Sequence, residues 1–181
     1  MDRKHFFDAV RSSIFGGSLS TPQVKGMEAL FDAAQGLATE ETAYILATAY
    51  HETATTMEPI AEYGKGKGRK YGVPGRNGGQ VPYGRGFVQT TWDANYERTD
   101  RELGLGGRLI ANYNLLLTDT AMAAKAAVRG MVEGWYTGKK LSDYFAGGKC
   151  DFVNARRIIN GNDKAEIIAG HARIFLRAIQ S

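Results

Sequence analysis

The 181-residue chain contains one cysteine, Cys150, and three histidines, His5, His51 and His171. A single thiol forms no intramolecular disulfide, so the fold rests on its core, and Cys150 reads as inert. His51-Glu52 begins a His-Glu-x-x-His pattern, but Thr55 stands where the second ligand belongs; no metal and no other cofactor is expected. No run approaches the ~20 apolar residues of a membrane span. The segment from Met1 to Arg11 lacks the apolar stretch and the cleavage site of a secretion signal, so no signal peptide is expected. A nucleophile elbow is also missing, which excludes the usual Ser or Cys triads. Gly64-Lys65-Gly66-Lys67-Gly68-Arg69 never closes on Gly-Lys-Ser/Thr. As a dinucleotide fingerprint it ends on Arg69 or Tyr71, where glycine is required.

What is present is an ordinary globular composition, 43% hydrophobic and 23% charged. A chain of this length builds one domain that buries roughly two thirds of its unfolded surface; a single domain over 1–181, without a separate wall-binding module, and a monomer are expected. The net charge of +4 and a pI near 9.2 suit an anionic partner. Nucleic acid is not expected, because the basic residues concentrate in one glycine-rich loop with no helix-turn-helix, zinc or RNA-binding signature.

Apolar spacing predicts a mainly helical chain. Asp2 caps a helix that places Phe6, Phe7, Val10 and Ile14 on one face and stops at Gly16-Gly17. Ser20-Thr21-Pro22 opens a second, with Val24, Met27, Leu30, Phe31 and Ala34 as its stripe. Thr39-Glu40-Glu41 starts a third that ends at Glu52, where Ile45, Thr48 and Glu52 share a core-facing stripe. From Glu62 to Gly86 there are nine glycines, six Lys or Arg, and no acid except Glu62, so regular helix is excluded. This segment is either a solvated loop or a glycan-contacting lip. Tyr83 to Thr90 reads as a hairpin arm, followed by a helix to Leu103. Further helices are expected over Leu109–Leu117, from Thr118-Asp119 to Gly134, over Asp151–Ile159 and over Asp163–Ile179. Trp135-Tyr136 and His171 read as packing residues, a sugar-stacking platform at Trp135-Tyr136-Thr137-Gly138 being the alternative.

The chemistry concentrates between Ala43 and Trp92. Cleaving a glycosidic bond requires one carboxyl that donates a proton to the leaving oxygen and a second, ionised one that activates water or attacks the anomeric carbon. Glu52, at the end of an apolar helix, is the acid candidate, its pKa expected to rise by desolvation. Glu62, in a basic loop, is the base candidate, and Glu58 competes for that role. Arg85, between two glycines, is expected to brace Glu62 or Glu52. His51 is expected to orient a polar partner in the cleft.

His51-Glu52-Thr53, the Glu62-Tyr63-Gly64 context, Tyr83-Gly84-Arg85-Gly86-Phe87-Val88-Gln89-Thr90-Thr91-Trp92 with Asn95-Tyr96, and Arg157-Ile158-Ile159-Asn160-Gly161 together resemble glycoside hydrolase family 19. That family holds plant-type chitinases and many phage endolysins, and the chain's length is more similar to the endolysin branch. The resemblance implies an α+β, lysozyme-like fold: two helical lobes with a small β element lining a cleft. It implies Glu52 as acid, Glu62 as base, Thr91 as a water-holding hydroxyl, and Gln89, Asn95 and Asn160 as sugar contacts. Inversion at the anomeric carbon follows. The expected partner is peptidoglycan, reached from the host cytoplasm through a membrane lesion made by another protein. A lytic transglycosylase and a non-catalytic glycan-binding module are the alternatives.

Overall fold

The computed structural model describes residues 2–181. Helix α1 (Arg3–Ser13) is capped by the Asp2 carboxylate, which accepts from His5 N. Helix α2 (Thr21–Ala33) begins with a reciprocal box in which Ser20 and Gln23 satisfy each other's backbone amides. Helix α3 (Thr39–Glu52) has no capping hydroxyl; Glu41 instead reaches back to Ala38 N. Every residue of α3 from Thr42 to Tyr50 is buried, because the helix packs on α9 (Ala165–Gln180) and on α2 and sets its Tyr44 ring against Phe145 and Phe152.

Two strands of two residues each, β1 (Ile60–Ala61) and β2 (Arg85–Gly86), pair antiparallel with Ile60 opposite Gly86. Helix α4 (Asp93–Glu102) follows. The apolar stretch after it is not one helix. It breaks into α5 (Arg108–Ala111) and α6 (Leu115–Thr118), because the Asn112 amide turns back to Arg108 and Leu109 and its side chain accepts from Asn114 N. Helix α7 (Thr120–Glu133) is capped by Asp119 and closed by Gly134 at φ 73°. A short α8 (Ser142–Phe145) was not anticipated, and Asp151–Ile159 holds only a 3-10 turn, Asn154–Ile158.

The apolar residues form two unequal cores. The larger gathers α1, α2, α3, α9 and one side of α7; the smaller holds Tyr96, Leu109, Tyr113 and Leu116 against Met122 and Ala126, the other side of α7. The architecture is therefore mainly helical, two lobes sharing α7, with the β hairpin beside them.

Candidate active site

Glu52 ends α3 because the chain turns sharply after it. Thr53 Oγ1 donates to Ala49 O at 2.7 Å and accepts from Met57 N at 3.0 Å. Ala54, Thr55 and Met57 then adopt positive φ of 49°, 71° and 54°. Thr55 is β-branched, so its conformation carries strain that the surroundings must impose. Helix α2 imposes it: Gln23 Nε2 donates to Thr55 O at 3.1 Å. Gly26 lies so close that a Cβ there would stand 1.7 Å from Met57 O. Six of the seven non-glycine residues with positive φ among those described fall between Ala54 and Trp92, so backbone strain concentrates in the segment that carries the candidate residues.

The Glu52 side chain is 17% exposed, and its Oε1 accepts from Arg156 Nη1 at 2.5 Å. Arg156 is itself buried, and its Nε donates to Asp163 O. Desolvation is thus only part of the environment of Glu52: burial of a carboxylate is tolerated here because a guanidinium accompanies it. Oε2 has no partner among the described residues. His51, half-buried beside this pair, has its imidazole pKa lowered, first by burial. Asn160, exposed, is joined to the same wall through its amide bond to Arg156 O at 3.0 Å.

Glu62 follows β1 and continues the hairpin ladder, its N–H donating to Gly84 O at 2.7 Å. Both carboxylate oxygens accept: Oε1 from the Tyr71 hydroxyl at 2.8 Å, Oε2 from Gly84 N at 3.1 Å. Two donors fix the plane of the carboxylate and leave a lone pair on each oxygen for water. Burial, and then Glu62 itself, raise the pKa of Tyr71, keeping it a donor. Gly84 is where the groups converge, since a Cβ there would lie 2.8 Å from Gln89 Oε1 and 3.3 Å from Glu62 Cβ. Gln89, at φ 61°, anchors the turn by donating to Ile60 O and Gly86 O. Thr91 accepts at its carbonyl from Asn95 Nδ2 at 2.8 Å and leaves its hydroxyl without a partner among the described residues. Trp92, 45% exposed, sets its ring edge-on to Tyr71 at 5.3 Å. This pair was missed in the sequence, where the glycine-rich loop hides the approach of Tyr71 to Trp92.

One expectation needs correction. Arg85 braces no carboxylate and is not available to a sugar. It is 4% exposed and donates to Val81 O, Tyr83 O, the Tyr96 hydroxyl and Asn114 Oδ1, with its guanidinium 3.5 Å from the Tyr83 ring centroid. It is the polar centre of the smaller lobe; the brace belongs to Arg156. Glu58 is exposed beside Pro22, Lys25 and Pro59, and makes none of the contacts that hold Glu62. Trp135 and Tyr136 are packing residues as expected: Trp135 Nε1 donates to Glu133 and the Tyr136 hydroxyl to Ala126 O.

The structure therefore builds two groups, Glu52 with His51, Arg156 and Asn160, and Glu62 with Tyr71, Gln89, Thr91, Trp92 and Asn95, joined by the strained 53–59 loop. Among the described residues no set of His, Cys, Asp and Glu is arranged to hold a metal ion.

No family model matches the chain. A 46-residue stretch is 41% identical to an acidic 26 kDa endochitinase of Solanum lycopersicum, covering 25% of this chain and 18% of that protein's length. Solved structures match far more of it. Chitinase C from Streptomyces griseus HUT6037 superposes with a TM-score of 0.69 at 22% identity, over 99% of this chain and 76% of that one. A bacterial family 19 chitinase gives 0.65 at 22% identity, over 98% and 94%. A class IV family 19 chitinase of Zea mays gives 0.60 at 22% identity, over 96% and 92%. The chain thus shares the fold of family 19 chitinases, as the resemblance implied.

Proposed function

We propose that the protein is a glycoside hydrolase that cuts β-1,4 bonds of N-acetylated amino-sugar glycan by single displacement, with Glu52 as acid and Glu62 as base. The observation that supports this best is the division of labour between the two carboxylates. Glu52 has one oxygen held by Arg156 and the other without a partner among the described residues, which leaves it to serve a leaving group. Glu62 has both oxygens oriented by neutral donors. The Thr91 hydroxyl is the second partner proposed for an attacking water. Water-mediated attack inverts the anomeric carbon, so the initial product is the α-anomer.

We assign bacterial peptidoglycan as the principal glycan and an endolysin's role to the chain, acting as a monomer on the wall after passage through a membrane lesion. Mass spectrometry of digested purified peptidoglycan tests the reading. New reducing ends support hydrolysis; anhydro ends, lighter by one water, would make it a lytic transglycosylase; binding without release would make it a glycan-binding module.

A further inference from the structure

Between Glu62 and Gly72 the chain folds as consecutive reverse turns: Lys65 N donates to Glu62 O, Lys67 N to Gly64 O, Arg69 N to Gly66 O, and Gly72 N to Arg69 O, at 2.8–3.0 Å. Gly66 and Gly72 meet backbone to backbone; a Cβ on Gly72 would stand 1.8 Å from Gly66 O. This packing makes the segment a folded lip rather than a loose loop. Its base is Glu62 at both ends, through the first turn and through the Tyr71 hydroxyl on Oε1.

Lys65, Lys67, Arg69 and Lys70 are exposed on this lip, and among the described residues none of them forms an ion pair. Arg76, a little further on, is neutralised by Glu97 at 2.6 Å. Four like charges within six residues repel one another, and among the described residues no ion pair neutralises them. They raise the local potential beside Glu62, where an anion would be drawn in.

We infer that the lip is an anion subsite of the cleavage site, taking carboxylate or phosphate groups carried by the glycan and favouring anionic strands over neutral ones. The inference rests on the reading of Glu52 and Glu62 as the cleaving pair. Two sources supply the chemistry: the carboxylates of stem peptides and the phosphates of polymers attached to the wall. An uncharged polymer of N-acetylglucosamine gains nothing from it. Because the Debye length is about 8 Å at physiological salt, the preference weakens as salt rises.

The test compares wild type with a variant carrying Lys65→Gln, Lys67→Gln, Arg69→Gln and Lys70→Gln on three probes: peptidoglycan sacculi, sacculi stripped of phosphate polymers by hydrofluoric acid, and colloidal chitin. On sacculi at low salt the variant's KM should rise about tenfold with kcat within about twofold, and the wild type's salt dependence should vanish. Chitin turnover and melting temperature should be unchanged. A difference that survives stripping assigns the carboxylates; one that stripping removes assigns the phosphates. Equal losses on chitin and sacculi, or no loss on sacculi, overturn the inference. Cosedimentation of Glu62→Gln protein with sacculi, with and without the lip charges, separates the two readings. If wild type cuts none of the probes but lip-dependent binding persists, the cleavage reading fails and the lip stands; binding indifferent to the lip charges sinks the lip.

Discussion

Replacing Arg156 with Met removes the guanidinium from Glu52 while keeping most of the side-chain volume. The Glu52 carboxylate, 17% exposed and 2.5 Å from Arg156 Nη1, is then left without its partner. Breaking a fully buried pair in this way costs about 3–5 kcal/mol. Protonating the carboxylate caps that cost: for an ordinary glutamate it takes (7 − 4.3) × 1.36, about 3.7 kcal/mol at pH 7, and (5 − 4.3) × 1.36, about 1 kcal/mol at pH 5. The lost Arg156 Nε bond to Asp163 O adds about 1 kcal/mol at either pH. With a discount for partial exposure, Arg156→Met should destabilise by about 2–4 kcal/mol at pH 7 and about 1–2 kcal/mol at pH 5. Urea unfolding at both pH values, in the wild-type and Glu52→Gln backgrounds, measures this. In the Glu52→Gln background the effect should shrink and lose its pH dependence. Equal losses at both pH values, or additive effects of the two substitutions, would refute the claim that Arg156 is there to balance Glu52. The same pair implies that Glu52→Gln, which leaves a buried guanidinium facing a neutral amide, costs some stability besides turnover.

Glu62→Gln should lower kcat by about 10²–10⁴-fold, since it removes the proposed general base, while Glu58→Gln stays within about twofold; reversed ranks would move the base to Glu58. Tyr71→Phe removes one of two donors to Glu62, an effect of about 0.5–1.5 kcal/mol, and should appear in kcat with melting temperature nearly unchanged. Gly26→Ala forces a methyl into Met57 O; a loss of about 1–3 kcal/mol together with reduced turnover is expected, and an unperturbed variant would mean the 53–59 loop is not clamped by α2. For pH, the His171 pKa is lowered from 6.5, first by burial and then by His51, and its Nδ1 is buried without a partner among the described residues. The unfolded chain takes up this proton as pH falls through about 6.5 and the folded chain only at lower pH, so the contribution is intact above that pH and declines below it. His171→Phe should shrink the fall in melting temperature between pH 7 and pH 5; an identical fall would exclude His171 as its source.

Much of the scaffold was legible because periodicity and caps are local. Asp2, Ser20 and Asp119 begin helices where their side-chain oxygens accept the amide three residues on. The stripes predicted for α1, α2 and α3 identify faces that are in fact largely buried, whereas on α9 Ile167, expected in the buried stripe with Ile168 and Phe175, is 51% exposed. Tertiary choice was not legible. Arg156 reaches Glu52 across 104 positions, and nothing in its neighbourhood distinguishes it from exposed Arg157. Arg85 looked like a brace because a guanidinium between glycines seeks acceptors; it found carbonyls, a hydroxyl and an amide oxygen instead. Periodicity also overran the breaks at Asn112–Asn114 and after Phe152, since apolar spacing says nothing about where side-chain amides and 3-10 geometry end a helix.

The unequal cores give the two carboxylates different kinetic histories. Glu52 is built on α3, whose amides are sealed in the larger core, whereas the segment after Glu62 is tied through Asp93, Glu97 and Gln80 to the smaller one. Opening free energy scales with the apolar contacts that must be broken, so the smaller lobe is the unit that unfolds first on its own. In native-state hydrogen exchange the amides of α4, α5 and α6 should therefore share a lower opening free energy than those of α3 and α9. Such an excursion would carry the anchorage of the Glu62 side away from an intact Glu52 side, making the pairing of the two carboxylates a property that can lapse and recover while most of the molecule stays folded.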